Sequence, residues 1–414
     1  MRLLMTASAG LVLALTALTA CTSATDGRGD GGPSATPTSS AASSAPSSHA
    51  SSRPSSASTS SPTKSPTTTP PPPSRAAQVL ASLDEAQRVG QLLMVDCPST
   101  EAASATIEAI TGQHVGGVIL DGNSSLSVSQ TRAVTGALQS HAPSGLGLLI
   151  STDQEGGLVR RLRGPGFSDI PSAVAQGQQS PSTLRAQATT WGGQLHAAGV
   201  NVDLAPVMDT VPADSPGNPP IGDLDREYGH DPGTVASHGT AVAEGLAAAG
   251  VAATIKHFPG LGRVTGNTDT TSGVTDTVTT RHDTYLQPFA TAIRAGAPFV
   301  MMSTAIYSRL DPNTPAAFSS TIIGTILRGD LGFTGVIISD DLGNAAQVSG
   351  YSVGSRAVDF VQAGGDVVLT VNATQAATMT AALLSRANSD PAFKAKVDAA
   401  ALVVLQEKQR LGLL

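Results

Sequence analysis

Short apolar runs recur through most of this 414-residue chain, and each is separated from the next by enough residues for a helix. Runs such as Val336-Ile337-Ile338 lack the alternation of apolar and polar side chains seen in strands with one solvated face. Strands without this alternation are typical of parallel sheets covered on both faces. We therefore predict a parallel α/β fold with eight strands, near Leu92–Asp96, Val115–Leu120, Leu146–Thr152, Val202–Val207, Ala252–Lys256, Phe299–Ser303, Gly335–Ser339 and Asp366–Thr370.

Two folds compete for such a pattern, a (β/α)8 barrel and an open doubly wound sheet. The positions of polar residues distinguish them. Polar residues follow five different predicted strands, at Asp153, Asp209, His257, Thr304 and Asp340. A barrel gathers the carboxyl ends of its strands into one ring, where the active sites of such barrels lie, whereas an open sheet spreads them along an edge. We therefore predict a single (β/α)8, TIM-like barrel.

Two helices have recognisable capping residues. Ser82-Leu83-Asp84-Glu85 has the spacing of a capping box and predicts a helix that begins after Ser82. Asp231 and Pro232 predict an N-cap and a first helical residue, and Gly250 predicts the end of the same helix.

The first twenty residues have the features of a secretory signal. Arg2 precedes an apolar run that is too short for a comfortable membrane span. The run ends in Leu18-Thr19-Ala20-Cys21, which resembles the lipobox of bacterial lipoproteins. In that class the chain is cleaved before the cysteine, which carries the lipid, so we predict a signal peptide over 1–20 and a lipidated Cys21. The alternative is an ordinary signal that is cleaved after Ala20.

Residues 22–75 contain no Val, Ile, Leu, Met, Phe, Tyr or Trp and consist largely of Ser, Thr, Ala and Pro. Such a stretch cannot bury enough apolar surface to offset its backbone entropy, so we predict that 21–75 is a disordered tether and that 76–414 is the folded domain. The net charge of −7 provides no positive surface for nucleic acid, and we expect none as a partner.

Three short motifs place charged side chains after predicted strands. They are Asp153-Gln154-Glu155-Gly156-Gly157 followed by Arg161, Lys256-His257-Phe258-Pro259-Gly260, and Ser339-Asp340-Asp341-Leu342. Carboxylates and guanidinium groups can bind sugar hydroxyls, and a Lys-His pair after a buried strand is costly unless it faces a polar cavity. Each motif also has a purely structural interpretation: a capping Asp with a surface Arg, a turn with a satisfied His, or a capping Asp341.

Together and in this order, the three motifs resemble glycoside hydrolase family 3, and in particular its single-domain bacterial β-N-acetylglucosaminidases. The resemblance runs from about Leu80 to the end of the chain. It includes Ile221-Gly222, Arg226-Glu227-Tyr228-Gly229 and the segment from Lys408 to Leu413.

This resemblance implies a retaining double displacement in which Asp340 is the nucleophile that attacks the anomeric carbon. It implies that five side chains bind the substrate: Asp153, Arg161, Arg226, Lys256 and His257. It implies no metal or other cofactor, and the sequence contains no spacing typical of metal ligands.

The chain departs from the family at the proton donor. Where these enzymes carry Asp-Ser-His after the fifth strand, with the His as acid/base, this chain has Asp269-Thr270-Thr271. A further family His, after the sixth strand, is replaced by Thr304. Threonine cannot deliver a proton near neutral pH. Either Asp269 with a raised pKa is the acid, or another group such as His257 is, or turnover is slow.

The family resemblance and the signal segment with its lipobox together predict an extracytoplasmic enzyme, anchored to the membrane by its lipid. We expect it to remove terminal β-linked N-acetylglucosamine from cell-wall-derived saccharides as a monomer. A β-glucosidase and a glycoside phosphorylase of the same family are alternatives. A sugar-binding lipoprotein without catalysis is a third. Thr271 favours it, and the retention of Asp340 argues against it.

Overall fold

The computed structural model describes residues 74–414. The predicted signal peptide, Cys21 and the predicted tether up to residue 73 lie outside these described residues. The strands are β1 (Leu93–Pro98), β2 (Gly117–Asp121), β3 (Leu149–Thr152), β4 (Gln154–Gly156), β5 (Val159–Arg160), β6 (Val202–Asp203), β7 (Ala252–Phe258), β8 (Thr275–Asp276), β9 (Phe299–Met302), β10 (Ile306–Tyr307), β11 (Asp311–Pro315), β12 (Val336–Ser339) and β13 (Val368–Thr370).

Helices surround and connect these strands. They are α1 (Arg75–Ser82), α2 (Glu85–Gly90), α3 (Ser104–Gln113), α4 (Val128–Ser140), α5 (Ala173–Gln176), α6 (Pro181–Ala197), α7 (Pro232–Ala248), α8 (Gln287–Arg294), α9 (Val353–Ala363), α10 (Ala376–Ser389) and α11 (Pro391–Arg410). A π-helix covers Thr321–Asp330, and 3-10 turns cover Gly222–Leu224, Thr284–Leu286, Ala316–Phe318, Ala346–Val348 and Ala373–Gln375.

Eight strands form one parallel sheet in the order β12-β9-β7-β6-β3-β2-β1-β13. A parallel bridge between Ile338 in β12 and Val367, next to β13, joins the two edges. The sheet is thereby closed, and these strands lie at the eight predicted positions. The prediction of a (β/α)8 barrel is confirmed. The predicted fourth strand is shorter than expected and is limited to β6. The residues after β6 still bind β7 through the Val207–Lys256 bridge and neighbouring backbone hydrogen bonds, such as that from Met208 N to Lys256 O (2.6 Å).

The barrel interior is filled by apolar side chains. One buried cluster takes residues from each of the eight strands, including Met94, Ile119, Phe299, Ile338 and Leu369. A larger cluster packs the outer faces of the strands against the helices. The interior is therefore a packed core rather than a pore, as is usual for such barrels.

The C-terminal helix α11 packs against this interior cluster. Its Val404 belongs to the cluster, and Leu411 and Leu413 pack against it. Lys408 is fully buried and donates a hydrogen bond to Gln91 Oε1 (2.6 Å), and burial lowers the pKa of Lys408 to about 7. The fold thus gives part of the C-terminal segment a structural role.

Helix α7 begins and ends as predicted. The Asp231 side chain accepts a hydrogen bond from Thr234 N (2.9 Å), and Pro232 is the first helical residue. Gly250, just beyond the helix, has a φ of 81°, a left-handed conformation that glycine adopts without a Cβ clash.

The predicted helix start at Ser82 is wrong. Ser82 is the last residue of α1, and its hydroxyl donates to Val79 O within that helix. The capping box lies two residues later, where Asp84 accepts from Gln87 N and Gln87 Oε1 accepts from Asp84 N. Because Ser82 is already part of α1, it cannot cap α2, and Asp84 is the N-cap of α2 instead.

Candidate active site

A pocket of about 390 Å³ lies at the carboxyl end of the barrel, within the size range of small-molecule sites. Four of its apolar residues, Ile119, Leu204, Met301 and Leu369, also belong to the cluster that fills the barrel. Its charged or titratable lining consists of Asp121, Asp153, Arg161, Arg226, Lys256, His257, Asp269, Asp340 and Asp341. The structure therefore brings all seven predicted site residues into one pocket.

Glu155 is the centre of an ion-pair network on one side of the pocket. Its carboxylate binds Arg226 at two points, with Nε–Oε2 at 2.8 Å and Nη2–Oε1 at 2.7 Å. Lys256 Nζ lies 2.7 Å from Glu155 Oε1 and 2.6 Å from Asp153 Oδ1. Two cations thus face two carboxylates, and none of the four side chains is more than 17% exposed.

This pairing keeps Glu155, Arg226 and Lys256 charged. Burial alone would raise the pKa of Glu155, but Arg226 and Lys256 hold that pKa well below its usual range. Burial would likewise lower the pKa values of Arg226 and Lys256, yet the facing carboxylates raise both. Buried charges are tolerated when they are paired and hydrogen-bonded, so Glu155, Arg226 and Lys256 stay ionised.

Asp203, at the end of β6, is a buried acid next to this network. Burial raises its pKa to about 8, against the hydrogen bond that Gln154 N donates to its Oδ1 (3.0 Å). Asp203 is therefore largely protonated at pH 7, and the network does not acquire a third full negative charge.

Arg161 remains available to a ligand. Its backbone N donates to Asp153 O (3.1 Å), which attaches it to the first motif. Its Nε lies 3.7 Å from Asp121 Oδ1 and has no hydrogen-bond partner among residues 74–414. A guanidinium group in this position can donate to a bound hydroxyl or carbonyl oxygen.

His257 is oriented by Asp209, a fully buried residue. Asp209 Oδ2 lies 2.7 Å from His257 Nδ1, and Oδ1 accepts from His257 N (3.1 Å) and Leu261 N (2.8 Å). Because Nδ1 is engaged, Nε2 is the ring nitrogen left for a ligand. The sequence places Asp209 at a strand end but contains no signal for this contact.

The two consecutive carboxylates after β12 have different partners. Asp341 accepts three backbone hydrogen bonds, from Gly343 N (2.8 Å), Asn344 N (2.8 Å) and Val371 N (2.9 Å). Asp340 is attached through its backbone N to Met302 O (3.0 Å) and lines the pocket. Asp341 thus organises the loop, whereas the Asp340 carboxyl group accepts one backbone hydrogen bond, from Asp341 N to Oδ1 (2.9 Å), and lines the pocket.

Asp269 lies at the pocket rim, where it reaches solvent but is partly desolvated by the surrounding protein. This desolvation raises its pKa to about 6, with Asp340 and Asp341 adding to the rise and His257 and Arg226 opposing it. Thr271 is exposed, and the Thr304 hydroxyl is buried with no partner among the described residues. Of Asp269, Thr271 and Thr304, only Asp269 lines the pocket.

Within residues 74–414, no group of three or more His, Cys, Asp or Glu side chains is placed to hold a metal ion. Cys97 is buried, and its thiol donates to Glu101 O (3.1 Å). None of the described residues that line the pocket is aromatic. A sugar bound here would make polar contacts with the charged side chains and would lie against the apolar residues that the pocket shares with the barrel core.

Comparison with known proteins gives a consistent result. The model of the glycosyl hydrolase family 3 N-terminal domain matches residues 83–406. A β-hexosaminidase of Xanthomonas oryzae pv. oryzae is 35% identical over 330 residues, which cover 78% of this chain and 93% of that protein.

Two solved structures are also similar. The β-N-acetylhexosaminidase of Beutenbergia cavernae DSM 12333 is 52% identical, with a TM-score of 0.78 over 79% of this chain and 99% of that one. A family 3 β-N-acetylglucosaminidase of Paenibacillus sp. str. FPU-7 is 34% identical, with a TM-score of 0.74 over 80% of this chain and 63% of that one.

We predict that Glu155→Gln destabilises the protein by about 3–5 kcal/mol, because it leaves Arg226 and Lys256 as buried cations with too few carboxylates. Urea denaturation measures this loss. The matched control is Glu244→Gln on α7, whose exposed pair with Arg185 (3.3 Å) should cost about 0–1 kcal/mol. Equal effects of the two substitutions would contradict the role given to Glu155.

Proposed function

The chain belongs to glycosyl hydrolase family 3, and from this premise we propose that it is a retaining β-N-acetylhexosaminidase that removes terminal β-linked N-acetylglucosamine through a covalent intermediate on Asp340. The observation that carries the proposal is the meeting of Asp340, Asp269 and the paired sugar-binding side chains in one pocket. Cell-wall-derived saccharides are the proposed substrates.

The ion-pair network is suited to holding the terminal sugar. Lys256 and Arg226 are fixed by Glu155, so their remaining donors have defined directions. Asp153 provides carboxylate oxygens that can accept hydrogen bonds from the sugar, and His257 provides Nε2, the ring nitrogen that Asp209 does not engage. Because no Phe, Tyr or Trp lines the pocket among residues 74–414, these contacts favour a short saccharide whose terminal ring enters the pocket.

In the first step, Asp340 attacks the anomeric carbon and the bond to the aglycone oxygen breaks. Asp269 gives its proton to that oxygen as it leaves. In the second step, Asp269 takes a proton from water, and this water attacks the anomeric carbon and releases Asp340. The anomeric configuration is retained because it is inverted twice.

The electrostatics of Asp269 fit both tasks. Before the reaction, desolvation and the charges of Asp340 and Asp341 raise its pKa to about 6, which keeps a fraction protonated. Once Asp340 is esterified, its negative charge is gone, so the pKa of Asp269 falls. The same carboxyl group is then the better base for the second step.

Water is favoured over phosphate as the acceptor. Asp269, Asp340 and Asp341 all line the pocket, and the Lys and Arg side chains that line it already face carboxylates. Arg226 and Lys256 are paired, and Arg161 Nε lies 3.7 Å from Asp121 Oδ1. A phosphate dianion that approached the anomeric carbon would be repelled. This charge pattern supports hydrolysis rather than phosphorolysis.

An extracytoplasmic, lipid-anchored location is part of the proposal. It is supported by Leu18-Thr19-Ala20-Cys21. No helix within residues 74–414 has both the length and the apolar character of a membrane span.

We predict that Cys21→Ala releases the protein from the membrane fraction, because the thiol that carries the lipid is lost. Fractionation of cells expressing the full chain, followed by immunoblotting, measures the release. Membrane association that persists in Cys21→Ala would argue for a different anchor.

We predict that the protein hydrolyses an aryl β-N-acetylglucosaminide much faster than the matching aryl β-glucoside, with no change in rate when phosphate is added. Asp340→Asn should keep the fold and abolish turnover, because an amide is too weak a nucleophile to form the intermediate. Release of the aryl alcohol measures both effects.

The assignment of Asp340 has its own control. A 2-fluoro glycoside should label Asp340, and mass spectrometry of the peptides identifies the labelled residue. Labelling of Asp341 would reverse the assignment. A faster reaction on the β-glucoside, or a rate that depends on phosphate, would replace the proposed substrate or acceptor.

We predict that Asp269→Asn lowers kcat/KM, which reports the first step, by about 10²–10⁴-fold for a substrate with a poor leaving group and far less for an activated aryl glycoside, because only a basic leaving oxygen needs the proton. In the wild type, kcat/KM for the poor substrate should fall as the pH rises above about 6, where Asp269 loses its proton. This alkaline fall should disappear in Asp269→Asn. If the leaving-group dependence is unchanged, His257 is the next candidate for the acid.

A further inference from the structure

The loop that carries Asp269 is hydrogen-bonded to the segment that follows Asp340. Ala346 N donates to Asp269 O (3.1 Å), and Gln347 N donates to Thr268 O (3.0 Å). These bonds connect the loop after β7 with the loop after β12. The two carboxyl groups that the proposed reaction needs are therefore linked through the backbone.

The Gln347 side chain also binds the loop after Asp269 in the chain, at Val274. Its Oε1 accepts from Val274 N (2.8 Å), and its Nε2 donates to Val274 O (3.1 Å). Gln347, Thr268 and Val274 are all buried, at 7%, 2% and 5% exposure. Because solvent is excluded from these bonds, water does not readily replace them.

The segment that makes these contacts is itself firmly attached. Asp341 accepts from Gly343 N and Asn344 N, and Leu342 N donates to Leu369 O (2.9 Å). Arg356 Nη1 donates to Leu342 O (2.8 Å) and to Gly343 O (2.6 Å). Gln347 therefore holds the Asp269 loop against an anchored segment.

We propose that Gln347 is a positioning residue that holds Asp269 at its working distance from Asp340. This inference rests on the proposed function, since it gives Asp269 the role of acid/base. In retaining glycosidases the separation of the two carboxyl groups decides whether the double displacement can occur. A displacement of about 1 Å at a reacting group can cost about 100-fold in rate.

A purely structural role for Gln347 would have a different signature. Loss of general stability would lower the rates of all substrates together, through the amount of folded enzyme. Loss of position at Asp269 lowers kcat/KM, which reports the first step, only for substrates whose leaving group needs its proton. The leaving group of the substrate therefore separates the two roles.

The test is Gln347→Met, which keeps the length of the side chain and removes both hydrogen bonds to Val274. We expect kcat/KM to fall by about 10–100-fold for a substrate with a poor leaving group and by less than about threefold for an activated aryl glycoside. In an Asp269→Asn background the same substitution should cause no further selective loss. Gln347→Glu keeps the acceptor for Val274 N, so its loss of kcat/KM should be smaller than that of Gln347→Met and larger than that of the wild type, which has none. It provides a second variant if Gln347→Met folds poorly.

Gln139 offers a matched control. Its side chain binds Leu148 in the same two-way manner, with Nε2 donating to Leu148 O (2.8 Å) and Oε1 accepting from Leu148 N (2.9 Å). Leu148 precedes β3, at the end of the strand opposite to the pocket. Gln139→Met should leave the leaving-group dependence unchanged.

Hydrogen exchange tests the contact without any substrate. Gln347→Met should speed the exchange of the amides in 268–274 and leave those of the barrel strands unchanged. Unchanged exchange in 268–274, equal rate losses for both substrates, or the same loss in the Asp269→Asn background would each overturn the proposal. Failure of the wild type to hydrolyse the aryl β-N-acetylglucosaminide would overturn the proposed function instead, while the exchange experiment still decides whether Gln347 holds the loop.

Discussion

Strands β12 and β13 meet through the bridge between Ile338 and Val367, and this pairing closes the parallel sheet into a ring. Asp366 strengthens the closing edge because its Oδ2 accepts from Ile337 N (2.7 Å) and pairs with Arg328 Nη2 (2.6 Å). Every charged residue of the pocket lies in the last three residues of a strand of this ring or in the connection that follows such a strand. In an open sheet the same residues would lie too far apart to bind one sugar.

Closure also creates an electrostatic problem, since it gathers many titratable groups in a poorly solvated place. The protein meets it in two ways. Glu155 is paired with Arg226 and Lys256, so these three groups keep their charges. Asp203 is instead left neutral, because burial raises its pKa to about 8. The side of the pocket assigned to the sugar is therefore organised before any ligand arrives.

Asp340 and Asp269, the two carboxyl groups of the proposed reaction, are not paired with cations in this way within residues 74–414. Asp340 and Asp269 are near enough for the charge of one to raise the pKa of the other, and neither is neutralised by a paired cation among the described residues. His257 and Arg226 only partly offset this repulsion, which is costly for stability but useful for proton transfer. In the proposed mechanism, a single carboxyl group whose pKa changes with the state of its neighbour does the work of an Asp-His dyad, and this proposal accounts for Thr271 and Thr304 in this chain.

The sequence by itself determined the eight strands and the barrel, because apolar runs and polar residues at strand ends are local patterns that survive in the folded chain. The seven site residues that the family resemblance implies line one pocket, and their roles stay predictions. The helix start at Ser82 was wrong because an earlier helix competed for that residue. The partners of Glu155, His257 and Gln347 were decided only by the tertiary structure. These contacts join residues 71, 48 and 73 positions apart, and their geometry exists only after the barrel has closed and brought the loops together.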